Sequence, residues 1–252
     1  MNSLDMKINI SPNSISAFYE NNEFFNGLDN ELIERLKKIT VKEKHKQKEY
    51  VNFDCDCLYI IELGHLMLFR ETYDGNMYIQ NIQGKGGIIG LERFFQNSNH
   101  PFESLIQCLD DVSVWRIQIK EIITDLKKQS SFLLKANESL IRQKLFKDIE
   151  LEHQIFLTAP QRLSCFLLRL WLCKNKPESL DLPLNKNVLA MKLSMNAETF
   201  SRALAKLIVD KEISVENNKI VLINMKQMVT ESCSACSFSF PCYDLLDKST
   251  IY

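Results

Sequence analysis

Neither sign of charge dominates this chain: 31 Lys and Arg against 32 Asp and Glu leave a formal net charge of −1 over 252 residues. A globally basic nucleic-acid-binding protein is thereby excluded, so any contact with nucleic acid has to come from a local patch. No apolar run approaches the roughly 18 residues of a membrane span. The opening MNSLDMKINISPNS has no apolar core, so no signal peptide is expected and the chain reads as cytoplasmic. In a reducing compartment the eight cysteines are thiols or metal ligands before they are disulfides. Internal repeats and low-complexity tracts are missing. So are a Ser/His/Asp or Cys/His signature, a P-loop and a paired-carboxylate motif, and no enzyme is expected. Gly84, Gly86, Gly87 and Gly90 invite a dinucleotide reading, but the third glycine of that motif would fall at Ile89.

What is present is an ordinary globular composition, 45% hydrophobic and 25% charged, long enough for two domains or one large one. Residues 1–23 are polar and read as a loosely ordered lead-in. Leu32, Ile33, Leu36 and Ile39 then repeat at helical spacing. From Val41 to about Ile119 the pattern changes to short strands: Leu58–Leu63, a turn at Gly64, His65–Arg70, the hairpin signal Asp74-Gly75, Met77–Ile82, and Val112–Ile119. Closely spaced strands with glycine turns suggest a small barrel or jelly roll over 24–119. Residues 120–157 read as helical throughout. Leu133, Ala136 and Leu140 trace one apolar row, and Leu134, Ile141, Leu145 and Ile149 another. That is more apolar surface than one neighbour covers, so a second chain is the economical partner; packing on the chain's own β-roll is the equal alternative, since Lys144, Lys147 and Asp148 interrupt the rows.

Thr158-Ala-Pro-Gln161 opens the next helix, with Pro near its first turn. Lys186–Leu193 and Ala197–Leu207 are two short amphipathic helices separated by Ser194-Met195-Asn196, a helix-turn-helix pattern. Phe200, Ala203, Leu204 and Leu207 fall on one face of the second helix. Thr199, Arg202 and Lys206 share a polar side, with Glu198 and Ser201 flanking it. Such a helix fits the major groove with its N-terminal residues toward base edges. Ile213–Glu216 and Lys219–Ile223 follow as a hairpin, which makes a winged helix. Local basicity is modest: Leu182–Glu231 holds seven Lys/Arg against five Asp/Glu.

Glu198-Thr-Phe-Ser201-Arg202 resembles the E-x-x-S-R recognition motif of the CRP/FNR family of bacterial transcription regulators, in its FNR variant, since the CRP-type Arg is replaced by Ala197. Phe24-Phe25-Asn26-Gly27-Leu28, the run LYIIELGHLMLFR with YDGNMYIQNI and GGIIG, and Arg162-Leu-Ser-Cys-Phe-Leu-Leu-Arg-Leu170 resemble the same family in order along the chain. The departure is Ser194, where the family usually has Gly. The resemblance implies an α+β protein: a β-roll sensor domain over 24–119, a long dimerisation helix within 120–157, and a winged helix-turn-helix over 158–230. It implies a homodimer on palindromic double-stranded DNA with TTGAT-like half-sites. Glu198, Ser201 and Arg202 would read bases, Asn196, Thr199 and Lys206 would lie at the interface, and RNA polymerase would be a further partner. The alternative is a β-roll sensor or interaction protein without sequence-specific DNA binding.

Family members that bind cyclic nucleotide place a Glu soon after the "I-G" turn and an Arg-Ser pair further on. Here Glu92 falls one place late and the pair reads Glu103-Ser104, so cyclic AMP is not expected to bind. His45, His65, His100 and His153 are scattered and give no ligand pattern. The tail over 231–252 is different. Cys233, Cys236 and Cys242 have the spacing C-x2-C-x5-C, and thiolates in this number suit an iron–sulfur cluster or zinc. FNR-type regulators carry a similar triplet around an oxygen-sensitive [4Fe–4S] cluster, some relatives after the DNA-binding domain. The resemblance implies such a cluster here, with zinc as the chemical rival and a tail of free thiols that binds nothing as the third alternative. The fourth ligand is not visible in the tail; Asp148 or another cysteine such as Cys108 could supply it.

Overall fold

The computed structural model describes residues 6–7, 11–54, 56–71, 73–74, 77–95, 104–182, 184–216 and 219–233. It divides into two compact units, residues 1–143 and 144–252.

The first unit opens with β1 (Met6–Lys7) and α1 (Pro12–Glu20). The expectation of a loose lead-in is corrected over Pro12–Glu20, which is helical. Pro12 sits at the start of α1, where its fixed φ favours a helix and its missing N–H costs nothing. Phe18 then stacks on Trp115 at 4.6 Å, and the buried Tyr19 donates its hydroxyl proton to Thr40 Oγ1 at 2.6 Å. The direction follows because the Thr40 proton is given to the Leu36 carbonyl. Next come α2 (Asn30–Lys38) and short strands: β2 (Thr40–His45), β3 (Tyr50–Val51), β4 (Cys57–Leu63), β5 (Leu66–Glu71), β6 (Met77–Gln83), β7 (Ile88–Ile89), β8 (Leu105–Cys108) and β9 (Val112–Gln118). They form two antiparallel sheets, in the orders β1-β2-β9-β4-β7 and β3-β8-β5-β6.

The five-stranded sheet is covered on both faces, which explains the nearly continuous apolar run of β4. Leu58, Ile60, Trp115 and Ile117 face a core shared with the helices. Cys57, Tyr59, Ile61, Val112 and Val114 face Leu66, Leu68, Ile106 and Cys108 of the second sheet. Gly90 turns the chain after β7 at φ 98, and a Cβ there would lie 2.6 Å from the Cys57 carbonyl oxygen, so only glycine fits.

The helical stretch 120–157 is not continuous. It forms α3 (Ile123–Lys128) and α4 (Ser130–Phe156), with Gln129 in an extended conformation between them. Gln129 is held by its side chain, which donates to Asp29 at 2.7 Å, while Leu126 and Phe132 on either side are fully buried. Ala136, with Leu133 and Leu140, packs into the first unit's own core. The other row is only partly open: Leu134 is 60% and Ile141 49% exposed, but Leu145 is half-buried and Ile149 is buried, which corrects the expectation of a continuous free row; further along, Leu151 and Ile155 are exposed.

The second unit takes the end of α4 and then α5 (Ala159–Cys173), α6 (Lys186–Lys192), α7 (Ala197–Val209), the hairpin β10 (Ile213–Glu216) with β11 (Lys219–Leu222), and α8 (Met225–Cys233). Thr158 and Gln161 form a capping box that starts α5. Leu180 pairs with Ile220 by two backbone hydrogen bonds of 2.7 and 2.9 Å, adding a third extended segment to the wing. The architecture is the expected one: antiparallel β-roll, long helix, winged helix-turn-helix.

Candidate nucleic-acid interface

Two asparagines start the two helices of the helix-turn-helix. The Asn185 side chain accepts from the Val188 N–H at 3.0 Å, and the Asn196 side chain accepts from the Thr199 N–H at 2.7 Å. Each satisfies a donor that the first turn leaves open. Asn196 is therefore occupied as a cap. Helices α6 and α7 pack together, and Leu189 and Ala190 of the one and Phe200, Ala203 and Leu207 of the other are buried.

The turn is tight. Ser194 and Met195 return their N–H groups to the carbonyls of Met191 and Ala190, both at 3.0 Å. Ser194 has φ 54, the left-handed conformation that its sequence position suggested and that glycine adopts at lower cost. Arg162 braces this turn from α5. Its guanidinium donates to the Leu193 carbonyl at 2.9 Å, the Leu157 carbonyl at 2.8 Å and the Ser194 carbonyl at 3.4 Å. The turn's pitch is thus tied to the end of α4 by one side chain, a residue that the sequence offered only as part of a motif.

With Phe200, Ala203 and Leu207 turned inward, the outward face of α7 carries Glu198, Ser201, Arg202 and Lys206, all exposed. Glu198 and Arg202 lie one turn apart and pair at 2.9 Å, with side chains 76% and 71% exposed. An exposed pair of this kind is worth only about 0.3–0.5 kcal/mol, so both groups remain available to another partner. Ser201 donates its hydroxyl proton to the Ala197 carbonyl at 2.9 Å. Lys206 pairs with Asp210 at 2.8 Å and sits at the far end of the face. Chemically the face offers a carboxylate acceptor, a guanidinium fork and a hydroxyl within the first two turns, the set that reads major-groove base edges.

Asp148 lies on α4, half-exposed and paired with Lys144 at 2.6 Å. Cys233 is the last residue of α8; Cys236 and Cys242 lie outside the described residues. Among the described residues no group of three or more His, Cys, Asp or Glu side chains gathers at one point. Cys57, Cys108 and Cys165 are buried thiols; burial pushes Cys108 up to about 12, which suits core residues rather than ligands. Ser104, in the β-roll, donates to the Gln80 side chain; Glu103 is outside the described residues. His153 is buried beside Arg169, and desolvation first, with that charge, drives its pKa down to about 4. His45 is buried between Glu43 and Glu49 and belongs to a carboxylate network.

Residues 161–230 match the Crp-like helix-turn-helix domain. No curated protein matches the chain. Among solved structures, FixK2 from Bradyrhizobium japonicum superposes with a TM-score of 0.63 at 17% identity, over 77% of this chain and 97% of its own. The c-di-GMP responsive global regulator CLP of Xanthomonas campestris gives 0.63 at 19% identity, over 77% and 99%. A putative transcriptional regulator of the Crp/Fnr family from Eubacterium rectale gives 0.64 at 16% identity, over 84% and 98%. At these identities the likeness establishes the fold: the chain has the architecture of CRP/FNR-type transcription regulators, with a Crp-like helix-turn-helix at its C-terminal end.

Proposed function

We propose that the chain is a homodimeric, sequence-specific DNA-binding transcription regulator whose signal is redox state or oxygen, read through the cysteine tail. The observation that carries the DNA-binding part is the outward face of α7. Glu198, Ser201 and Arg202 are exposed on a helix whose other side is locked by Phe200, Ala203 and Leu207, and whose entry turn is braced by Arg162. In the groove, Glu198 would accept from a cytosine amino group and Arg202 would donate in bidentate fashion to guanine. Thr199 and Lys206 border that face, and Asn196 acts through its cap. The exposed row Leu134, Ile141, Leu151 and Ile155 on α4 supports a second copy as partner, and a dimer matches a palindrome of TTGAT-like half-sites. RNA polymerase is the partner that follows for a regulator bound at a promoter.

The donor chemistry of Cys233, Cys236 and Cys242 fits a [4Fe–4S] cluster, which when bound would make the protein sensitive to oxygen. Asp148 fits as a further oxygen ligand, because its pair with Lys144 is exposed and weak. Cyclic AMP is not the signal in this reading: Ser104 is engaged by Gln80, and its neighbour is the acidic Glu103. Anaerobic purification tests the signal. A brown protein with about four irons per chain, bleached by air and colourless as Cys236→Ala, is the expected result. A colourless protein carrying one zinc per chain, or none, with unchanged DNA binding, contradicts it.

A further inference from the structure

Beside α8 the second unit has a half-open pocket of about 180 Å³ between the first turns of α5, the end of α7 and the last turn of α8. Three of its lining side chains end in oxygens that are sealed from solvent and outside good hydrogen-bonding geometry: Ser164 Oγ, Glu212 Oε1 and Ser232 Oγ, the first lying close enough to Glu212 to favour its charged form without completing a bond. Each of these residues is at most 2% exposed. Buried polar atoms are satisfied in the great majority of cases, and three orphans around one cavity are a set. All three offer lone pairs, and one belongs to a carboxylate.

The surroundings do not neutralise that carboxylate. Lys206 lines the cavity but gives its ammonium to Asp210 at 2.8 Å. Glu231 is the second carboxylate on the wall, its oxygen accepting from Gln227 at 2.9 Å. Burial, together with Glu231 and Asp210, raises the Glu212 carboxyl above its ordinary range, against the opposing pull of Lys206 and Ser164. A carboxylate sealed from water and short of positive charge costs several kcal/mol unless it protonates or acquires a cation.

We infer that this cavity is a site for a hard cation of the magnesium or calcium class, held by the Glu212 carboxylate and the hydroxyls of Ser164 and Ser232, with Glu231 facing it. Oxygen-only donors select such ions over zinc or copper. One sealed carboxylate with neutral oxygens makes a weak site, of the order of 1 mM, with water completing the shell. The ion would pin α8 onto α5, and α8 ends at Cys233. The site is independent of the proposed cluster, because thiolates do not compete for calcium or magnesium.

Calorimetry and thermal unfolding of the full chain, first stripped with chelator and then titrated with calcium chloride or magnesium chloride, test this. The expected result is a saturable rise in melting temperature with at least one ion. Glu212→Gln, which keeps the shape of the cavity, should weaken binding at least tenfold while being no less stable than the parent in ion-free buffer. Joint Ser164→Ala and Ser232→Ala should weaken it several-fold, and this variant decides the matter if Glu212→Gln does not fold. No saturable effect of either ion up to about 10 mM would mean that the cavity holds only water and would overturn the site. Undiminished binding by the variants would overturn it equally, placing the ion elsewhere.

Discussion

At the residue scale, Arg202 is the residue proposed to recognise bases, and Ser194 the one that shapes the turn. Arg202→Ala should cost about 1–3 kcal/mol on the preferred sequence and relax preference at one base pair. Competition binding against single-base variants reads this; uniform weakening on every sequence would make Arg202 a phosphate contact. Ser194 holds φ 54 without being glycine. Ser194→Gly should relieve that conformation, offset in part by a more flexible unfolded chain, for a net gain of about 0.5–1 kcal/mol by chemical denaturation. Both residues were legible in the sequence, Arg202 by motif and Ser194 by its departure from the motif. Their partners were not, since nothing in linear spacing places Arg162 against the carbonyls of Leu193 and Ser194. His45 supplies a pH dependence. Burial opposes its charge, but Glu43 and Glu49 outweigh that and raise its pKa above the ordinary 6.5. Its charged form therefore stabilises the fold fully below 6.5, and that contribution is lost as pH rises through the higher folded value. Melting temperatures across this window should fall more steeply for the parent than for His45→Gln.

Among the elements, α4 carries two apolar rows with different fates. Leu133, Ala136 and Leu140 fill the first unit's own core, whereas Leu134 and Ile141 are left open. Periodicity showed that two rows exist but could not assign them, because both have the same spacing and the choice depends on where the β-roll lies. Ile141→Glu should give monomers at little cost to folding, by setting like charges across the seam; Leu140→Glu should instead lower the melting temperature by damaging the core. Sedimentation velocity on both separates the outcomes, and an unchanged dimer in Ile141→Glu would move the interface elsewhere. The strands of the β-roll were readable from their glycine turns and apolar runs. Helix α1 was missed because its polar Asn and Ser residues mask the two aromatics, Phe18 and Tyr19, that anchor it. The break at Gln129 was missed because a side-chain contact to Asp29, a hundred residues away, enforces it.

For the whole molecule, the order of domains was legible because each segment has its own periodicity, and the antiparallel sheets, long helix and winged helix follow that order. The proposed signal was legible only as ligand chemistry: the cysteine spacing suits soft metals, and a fourth ligand would depend on a tertiary approach that spacing does not encode. Asp148 illustrates this, being held by Lys144 one turn away. The central claim is that two copies of α7 read two half-sites in register. Fluorescence anisotropy on a duplex with two TTGAT-like half-sites about one helical turn apart, roughly 34 Å between centres, tests it most directly against a duplex whose spacing is lengthened by about half a turn. The expected result is at least a tenfold loss of affinity on the lengthened duplex, with Arg202→Ala binding both duplexes weakly. Equal affinity for both duplexes and for a scrambled one would contradict the account.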